Sequence, residues 1–346
     1  MPDRSRRLPT LQDVAREAGV SPATVDRAIN GRSGISARAR AKVEAAMQRL
    51  DYRPNVHASR LARAKRWRIC LVLPTGTNPF MTRLEQEARF AADLFASERV
   101  QIDIAKTDVF SGPDLAAALE RAAGTADAVA AVALDHPAVN EAINALVRRG
   151  KQVATLVSDA PRSLRQHYVG IDNVAAGRTA AAILGRFLGG RQGTVGVIAG
   201  SLLLRDHAER QLGFQQVMQD EFPHLSVLPA REGMDDRHRV AEKTREILKT
   251  TDDLIGLYNV GAGNEGAITV MTNFGVADKV VFVAHELTDA SRPAVIDGSI
   301  DAIINQDAGH EVRSAFRRLV AALDGVPISD AQERIRIDIY LRHNLP

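Results

Sequence analysis

Residues 9–30, PTLQDVAREAGVSPATVDRAIN, contain two short amphipathic segments separated by a tight turn. Thr10 is a good N-cap with the acidic Asp13 three residues later, and the apolar residues that follow recur at helical spacing until a glycine ends the pattern. Ser21 can cap a second helix that has Pro22 at its first position, where the missing N–H costs nothing. A helix, a turn of about three residues and a second helix predict a helix-turn-helix, whose second helix enters the major groove of DNA.

The residues that follow complete a small head. Ser36 opens a third helix, ARARAKVEAAMQRL, whose apolar residues can close the core of the first two. Pro54 breaks this pattern, and residues 55–62 can form only a short polar helix, which by itself indicates a linker. We therefore expect three parts: a DNA-binding domain over 1–53, a hinge helix and linker over 54–67, and a larger effector-binding and dimerisation domain over 68–346.

The charge is divided unevenly along the chain. Of the 45 Lys and Arg and the 42 Asp and Glu, 16 and 6 lie in residues 1–68, a balance of +10, which leaves 29 and 36, or −7, for the rest. A basic head suits a polyanion, because each neutralised phosphate releases counterions and makes association dependent on salt. The charge pattern therefore agrees with a DNA-binding head on a mildly acidic body.

The single cysteine and the lack of long apolar runs indicate a cytoplasmic protein. Cys70 lies in the apolar run RICLVLP, so no intramolecular disulfide is possible, and a small core residue in a strand is a better interpretation than a nucleophile. The basic N-terminus is followed by no apolar h-region. No apolar run approaches the roughly 18 residues of a membrane span.

The rest of the chain alternates strand-like and helix-like segments. Buried runs such as RICLVLP, VQIDIA, DAVAAVAL and QVATLVS are separated by amphipathic segments, and a second set begins near Tyr168. This α/β alternation predicts two doubly wound parallel-sheet lobes, with a ligand in the crevice at the carboxyl ends of their strands. The first lobe is expected over about 68–166 plus 307–330, and the second over about 167–306 plus the C-terminal segment.

Several of these motifs recur in order and at fixed distances in one family. The segments TLQDVAREAGVSPATVDRAING, RARAKVEAAMQRLDYRPN, NVHASRL and ICLVLPTGTNPF make the chain resemble the LacI/GalR family of bacterial transcription regulators. The resemblance implies a homodimer, or a higher oligomer, that reads two half-sites of double-stranded operator DNA. It also implies a body like a type I periplasmic binding protein, and hinge helices that wedge a leucine, here Leu61, into the minor groove.

By correspondence with this family, the residues at the start of the second helix are expected to contact the DNA bases. Pro22 and Ala23 can make apolar or shape-dependent contacts, and Arg27 can contact guanine through two hydrogen bonds. Thr24 and Ser36 are expected at the DNA backbone, although each can equally be only a helix cap. The further residues expected at DNA are Thr10, Ser21, Asn30, Ser33, Asn55 and Ala58.

Asp26 departs from the family pattern, which usually has serine before the recognition arginine. A carboxylate facing a phosphate would repel it. Either Asp26 accepts a hydrogen bond from a cytosine amino group, or the helix sits differently on the duplex.

Polar residues at the ends of the predicted strands correspond to the family's effector site. They are Asn78, Phe80, Asp135, Arg210, Asn259, Glu286 and Gln306, with contributions expected from His136, Arg205, Asp206, His207, Tyr258 and His285. Carboxylates, amides and an arginine bond vicinal hydroxyls while a ring such as Phe80 covers a C–H face, so a sugar or polyol fits best. Glu286 stands where the family usually has aspartate, which leaves the identity of the sugar open.

A glycine motif supports an alternative function. Gly261, Gly263 and Gly266 spell G-x-G-x-x-G, and Glu286 lies twenty residues past the last of them, as the ribose-binding acid of a dinucleotide site would. An NAD(P)-dependent sugar oxidoreductase is therefore the alternative. The glycines occur late in the second lobe, however, where they can let the backbone pass close to a ligand or start a helix. Since no catalytic constellation or metal-ligand spacing appears, we expect no enzyme, cofactor or metal, and a ligand-responsive transcriptional repressor is the leading interpretation.

Overall fold

A computed structural model of the chain forms two compact units, Met1–Arg66 and Trp67–Pro346. The residues that the structure describes are 9–29, 33–52, 65–76 and 78–346. Four residues that the sequence places at DNA lie outside these ranges: Asn30, Asn55, Ala58 and Leu61.

The described part of the first unit contains α1 (Leu11–Ala18), α2 (Pro22–Ile29) and α3 (Ala37–Arg49). The predicted start of α1 is confirmed, since the Asp13 N–H donates to Thr10 Oγ1 over 3.3 Å and the Thr10 N–H donates to Asp13 Oδ2 over 2.9 Å. Val14, Val25 and Val43, one from each helix, are fully buried in the core of the unit. Short helices of this length need such tertiary packing to persist.

The first sheet of the second unit is five-stranded and parallel throughout. Its strands, in the order β2-β1-β3-β4-β5, are β1 (Trp67–Pro74), β2 (Val100–Thr107), β3 (Ala128–Ala131), β4 (Gln152–Leu156) and β5 (His167–Val169). The helices between them are α4 (Pro79–Ala96), α5 (Gly112–Thr125) and α6 (Pro137–Arg148). Alternate residues of β1 join two different apolar clusters, with Leu71 on one face and Cys70 on the other. Cys70 is thus the buried strand residue predicted, and burial raises the pKa of its thiol.

The second sheet is seven-stranded, in the order β12-β11-β10-β9-β6-β7 with β8 paired to β6. Its strands are β6 (Gly193–Ala199), β7 (Leu225–Val227), β8 (Arg231–Glu232), β9 (Leu254–Asn259), β10 (Val281–His285), β11 (Ala302–Asn305) and β12 (Asp338–Tyr340). The accompanying helices are α7 (Asn173–Leu188), α8 (Arg205–Glu221), α9 (Arg237–Thr250), α10 (Asn264–Asn273) and α11 (Arg292–Asp297). The edge strand β12 runs antiparallel to β11, which the sequence did not predict.

The prediction of two doubly wound α/β lobes is confirmed, but one strand was assigned to the wrong lobe. β5 pairs with β4 in the first sheet, with His167 opposite Ala154, so residues 167–169 do not begin the second sheet. A run of three residues carries no signal of which sheet it joins, because tertiary proximity selects its partner. After β11 the chain returns to the first sheet as α12 (Ala308–Asp324), which packs against α4 and β4. The chain therefore crosses between the lobes more than once.

Candidate functional site

The outer face of α2 carries the side chains expected to read bases. Pro22, Ala23 and Arg27 are exposed, whereas Val25 is fully buried in the core. Ala23 and Arg27 are four residues apart and therefore lie on the same side of the helix. The half-buried Asp26 lies beside them. A small side chain next to an exposed arginine lets the helix approach a duplex closely while the guanidinium reaches a base edge.

The hydroxyl side chains expected at the DNA backbone also stabilise the helix ends. Thr10, Ser21 and Ser36 each accept an N–H of the following turn over 3.2–3.3 Å. Thr24 Oγ1 lies 2.9 Å from Ser21 Oγ, and Ser33 is exposed before α3. Capping does not prevent a phosphate contact, because the free N–H groups of a helix start also attract anions. The DNA contacts of these residues stay predictions.

In the second unit, polar side chains gather where neighbouring strands end. β9 ends at Asn259, β10 ends at His285 with Glu286 next, and Gln306 follows β11. These three strands are adjacent and parallel, so their carboxyl ends lie side by side. Arg210, from α8, reaches the same place. The structure therefore brings together residues that lie almost 100 positions apart in the sequence.

Arg210 is the centre of this cluster. Its Nη2 lies 3.6 Å from Glu286 Oε1, its Nε donates to Asn173 Oδ1 over 2.9 Å, and its Nη1 donates to the Val260 carbonyl over 3.1 Å. The Arg210 side chain is only 2% exposed. Burial alone would lower its pKa, but the nearby carboxylates, chiefly that of Glu286, raise it. Arg210 is therefore a fixed, permanently charged donor.

Glu286 is held in a conformation that ordinary side chains avoid. Its φ of 66° lies in the left-handed region, which costs on the order of 1–3 kcal/mol for such a residue. The backbone is held there because the Glu286 N–H donates to the Ile304 carbonyl over 3.0 Å and Ser291 Oγ donates to the Glu286 carbonyl over 2.9 Å. Burial raises the pKa of Glu286 to about 7, although Arg210 and the Gln306 side chain, whose Nε2 donates to Oε1 over 2.8 Å, lower it. Strain and burial of this kind mark functional positions.

The orientation of the Asn259 amide is fixed by its neighbours. Its Nδ2 donates to the carbonyls of Gly261 and Ala262 over 3.2 and 3.1 Å and to Asn264 Oδ1 over 2.6 Å. Asn264 in turn donates to the His285 carbonyl over 3.0 Å. Asn259 Oδ1 is consequently an acceptor without a hydrogen-bond partner among the described residues.

Tyr258 and His285 lie in the core beneath the cluster. The Tyr258 ring stacks on Phe214 with a centroid distance of 4.4 Å, and its hydroxyl lies 2.8 Å from His285 Nε2. Both side chains are fully buried, and burial, with a smaller contribution from Arg210, lowers the pKa of His285 well below its ordinary value. His285 is therefore neutral and supports the strand ends.

The first turn of α8 supplies further buried groups. Asp206 and His207 are each 4% exposed, with Asp206 Oδ2 3.6 Å from His207 Nε2. The Ser201 N–H donates to His207 Nδ1 over 3.1 Å. Arg205 is more exposed and pairs with Glu209 over 2.7 Å. Asp206 thus lies beside the cluster, whereas Arg205 lies at its rim.

From the first lobe, Asp135 and His136 lie after β3. Asp135 Oδ1 accepts from Asn140 Nδ2 over 3.0 Å and from Arg162 Nε over 3.1 Å, and its Oδ2 lies 3.6 Å from Arg205 Nη1. Burial would raise the pKa of Asp135, but these donors hold it below its ordinary value. His136 caps α6. Asp135 is therefore an ionised group that links the first lobe to α8 of the second.

A second contact between the lobes involves Asn78. Asn78 Oδ1 accepts the Phe80 N–H over 2.9 Å at the start of α4, and its Nδ2 donates to Asp235 Oδ2 over 3.2 Å. Asp235 Oδ1 accepts the Ala262 N–H over 2.9 Å, so one carboxylate joins the two lobes. Phe80 is 6% exposed and packs in the apolar core.

Sequence reasoning missed Asp235, Glu311 and the role of Asn173. Asp235 has a φ of 54°, and its sequence signal is only the pair of acids before α9, of which Asp236 is the N-cap. Glu311 lies in the first turn of α12 and is fully buried, and burial raises its pKa well above the ordinary value. An acid at a core-facing helix position is the signal that could have identified Glu311.

The cluster and the residues packed around it contain buried polar atoms with no hydrogen-bond partner among the described residues. Leaving such an atom unsatisfied costs about 1–3 kcal/mol, so several together indicate a place where water or a ligand supplies the partners. They are Asp206 Oδ1, Arg210 Nη2, Asn259 Oδ1, His285 Nδ1, Glu286 Oε2, Gln306 Oε1 and both carboxylate oxygens of Glu311.

A cavity of about 580 Å³ opens beside this cluster. It is lined by Phe80 and Arg83 of the first lobe and by Thr288, Gln306 and other residues of the second. Its volume is in the range of small-molecule sites. The cluster is therefore adjacent to a space between the lobes.

The three glycines of the G-x-G-x-x-G motif allow close packing and the start of a helix. A Cβ atom on Gly261 would collide with the Asp235 carboxylate, and one on Gly266 would collide with the Arg237 carbonyl of α9. Gly263 has a φ of 89° and forms the N-cap of α10. The carboxylate against Gly261 lies where a dinucleotide loop would hold phosphate, so this packing gives no support to the oxidoreductase alternative.

Neither a candidate membrane span nor a candidate metal site occurs among the residues that the structure describes. No helix there combines the length and apolar character that a bilayer span needs. No group of three or more His, Cys, Asp or Glu side chains there is arranged to hold a metal ion.

The chain matches known families over both units. Residues 10–55 match the bacterial regulatory proteins of the lacI family, and residues 69–327 match the periplasmic binding protein domain. Catabolite control protein A of Streptococcus mutans is 39% identical over 99 residues, 29% of each chain. The HTH-type transcriptional regulator DegA of Bacillus subtilis is 43% identical over 84 residues, 24% of this chain and 25% of that one. These alignments therefore span less than a third of either relative.

Solved structures with the same fold align with most of the chain. GanP, a glucose-galactose binding protein from Geobacillus stearothermophilus, has a TM-score of 0.73 at 23% identity, covering 82% of this chain and 99% of that one. An ABC transporter solute binding protein from Burkholderia graminis, in complex with D-arabinose, has a TM-score of 0.73 at 24% identity, covering 81% and 97%. At this identity the likeness establishes the fold.

Proposed function

Because the chain belongs to the periplasmic binding protein domain family over residues 69–327 and matches the lacI family of bacterial regulatory proteins over residues 10–55, we propose that it is a transcriptional repressor controlled by a sugar or polyol. The effector binds between the two lobes of the second unit and changes the affinity for operator DNA. The observation that carries this proposal is the buried cluster around Arg210, Glu286 and Gln306, whose unpartnered atoms lie at adjoining strand ends.

The proposed DNA-binding surface is the outer face of α2. Arg27 is exposed there beside Ala23, and residues 1–68 carry a balance of +10, from 16 basic and 6 acidic side chains. Phosphates provide most of the salt-dependent affinity, and Arg27 provides discrimination at a guanine. The hinge over 54–67 and the wedge residue Leu61 remain part of this proposal, although they lie outside the described residues.

The proposed effector site is the cleft. Glu286, Gln306, Asn259 and Arg210 are all buried and offer fixed hydrogen-bonding groups, as polyhydroxylated ligands require. The sugar named for each of the two structural neighbours supports the same ligand class. Asp135 and Asn78 take part from the first lobe through their contacts with the second.

We propose that the effector controls DNA binding by changing the relative position of the two lobes. An effector that bridges the lobes favours one relative position of them, and in a homodimer that position sets the distance between two DNA-binding heads. A coupling of about 1–3 kcal/mol is enough for such a switch. The domain limits 1–53, 54–67 and 68–346, the homodimer and a cytoplasmic location belong to this proposal.

Binding of the full-length protein to DNA selected from a random library tests the first half of the proposal. We expect log affinity to fall with log salt concentration by about 0.9 per phosphate contacted. Arg27→Ala should weaken binding to the selected site by about 1–3 kcal/mol and relax specificity at one base pair. Arg16→Ala, which removes an exposed arginine from α1, is the matched control. No binding at low salt would contradict the proposal.

Thermal denaturation of the full-length protein with monosaccharides, polyols and their derivatives tests the second half. A ligand of the folded state raises the midpoint by mass action, and a true effector also changes DNA affinity. Stabilisation by purines or amino acids alone would contradict the proposed ligand class.

A further inference from the structure

The unpartnered atoms of the cluster and of the residues packed around it are mostly hydrogen-bond acceptors. Six are oxygens: Asp206 Oδ1, Asn259 Oδ1, Glu286 Oε2, Gln306 Oε1 and the two carboxylate oxygens of Glu311. Arg210 Nη2 is an obligate donor, and His285 Nδ1 takes either role according to its tautomer. The raised pKa of Glu311 favours its protonated form, in which one of its two oxygens donates, so the acceptors still outnumber the donors. A ligand that satisfies the set must therefore donate more hydrogen bonds than it accepts.

This excess of acceptors does not depend on how the amides are oriented. Turning the Asn259 amide over would place its oxygen against the carbonyls of Gly261 and Ala262. Turning the Gln306 amide over would place its oxygen against Glu286 Oε1, 2.8 Å away. Both reversed arrangements would bring acceptors together, so each amide oxygen remains the group without a partner.

The charges of the buried side chains lead to the same conclusion as the excess of acceptors. Arg210 is the only Lys or Arg among the buried side chains of the described residues, whereas Asp206, Glu286 and Glu311 are all buried nearby. The arginines at the rim are already paired, Arg162 with Asp135 and Arg205 with Glu209. Among the buried side chains, an anion bound at the cluster would find one cation and several carboxyl groups.

We propose that the cleft takes a non-anionic, donor-rich effector, a polyol or an amino-substituted polyol, and rejects sugar phosphates and sugar acids. The inference rests on the proposed function and narrows its ligand class. A hydroxyl group rotates to donate to a carboxylate or an amide oxygen, and an ammonium group donates three times. Phosphate and carboxylate groups only accept, so each would lose its hydration without gaining donors from this set.

The test is a panel of matched ligands measured by calorimetry with the full-length protein. Each neutral compound that binds, among common hexoses, pentoses, hexitols and inositols, is compared with its own phosphate, its acid and, where one exists, its amino derivative. We expect the phosphate and the acid to bind about tenfold more weakly or worse, and the amino derivative to bind at least as well as the parent.

A phosphate or acid that binds as tightly as its parent would overturn the inference and leave the sugar-controlled repressor intact. If no member of the panel binds while DNA binding persists, both the inference and the proposed effector class fail. The two failures are thus distinguishable in one experiment.

Asp206→Asn supplies a test within the protein. Removing this carboxylate should reduce the preference for the neutral compound over its phosphate several-fold, whatever it does to overall affinity. Asp220→Asn, the same substitution at an exposed position of α8, should leave the preference unchanged. If Asp206→Asn does not fold, Glu286→Gln provides the same readout. An unchanged preference in the folded variant would contradict the inference.

Discussion

The two sides of the cleft differ in how their polar groups are satisfied. On the first-lobe side, Asp135 is bonded by Asn140 and Arg162, and Asn78 uses both ends of its amide. On the second-lobe side, Arg210 and Glu286 are more deeply buried, and each keeps an atom without a hydrogen-bond partner.

The difference indicates that the two lobes have different tasks. Among the described residues of the first lobe, Asn140 Oδ1 and Ser158 Oγ are uncharged buried atoms without a partner, and the ionisable ones, of Glu311 and Arg318, all belong to α12. The second lobe carries Asp206, Arg210 and Glu286, each with an unpartnered atom, and the left-handed backbone of Glu286 illustrates how firmly such a group is held. The second lobe therefore resembles a preorganised platform, which the first lobe contacts through pairs such as Asn78 with Asp235.

The largest effect is expected from replacing Arg210, the buried cation of the second lobe. Arg210→Met leaves Glu286 and Asp206 buried without their partner, so we expect effector binding to be lost and the free energy of unfolding at pH 8 to fall by about 3–5 kcal/mol. Urea denaturation measures the stability. Arg178→Met, at an exposed position of α7, is the control.

The loss of stability caused by Arg210→Met should also depend on pH. At pH 5.5 the loss should be smaller, because Glu286, whose pKa is about 7, then takes up a proton and no longer needs the cation. If Arg210→Met destabilises the protein no more than Arg178→Met, the second side does not depend on a buried charge and the contrast between the sides is wrong.

A smaller effect is expected from Glu286→Gln, which should change how the free energy of unfolding depends on pH. The pKa of Glu286 in the folded protein is about 7, above its ordinary value of 4.5, so the folded state holds the proton more tightly. Its contribution to stability is fully present below about pH 4.5 and is lost as pH rises through about 7, a change of about 3 kcal/mol.

Glu286→Gln should abolish this part of the pH dependence. The quantity to measure is the difference in unfolding free energy between wild type and variant from pH 4.5 to 8. Wild type should lose stability relative to the variant as pH rises. A difference that does not change with pH would mean that the carboxyl group is not perturbed by burial.

The smallest effect is expected from changes at the contact between Asn78 and Asp235, which joins the two sides of the cleft. Asn78→Ala and Asp235→Asn should each weaken effector binding about three- to tenfold, because each removes part of the contact that favours closure. The double variant should be little weaker than either single one, since both changes act on the same contact. Fully additive losses, measured by calorimetry, would show that the two residues act separately.

Local sequence patterns predicted the first unit and the arrangement of the second. The capping residues Thr10 and Ser36 identify helix starts because a cap depends only on residues within one turn. The strand ends that carry Asn259 and Glu286 were found in the same way, from apolar runs followed by polar residues. The roles assigned to these residues in binding stay predictions.

Other features depend on contacts between distant parts of the chain. Asp235 meets Asn78 from a position 157 residues away, and Glu311 becomes part of the cluster only because α12 returns to the first sheet. The same holds for β5, which is too short to carry a signal and joins the first sheet through β4.

Periodicity, capping and charge are local properties, and from them alone the chain is an α-helical basic head followed by alternating strands and helices. Which polar groups end up with partners is a different kind of fact, because it depends on the distances between atoms that folding brings together. Glu286 is an ordinary acid in the sequence, and only burial at the end of β10, against the opposing effect of Arg210, raises its pKa to about 7 and leaves one of its oxygens without a partner.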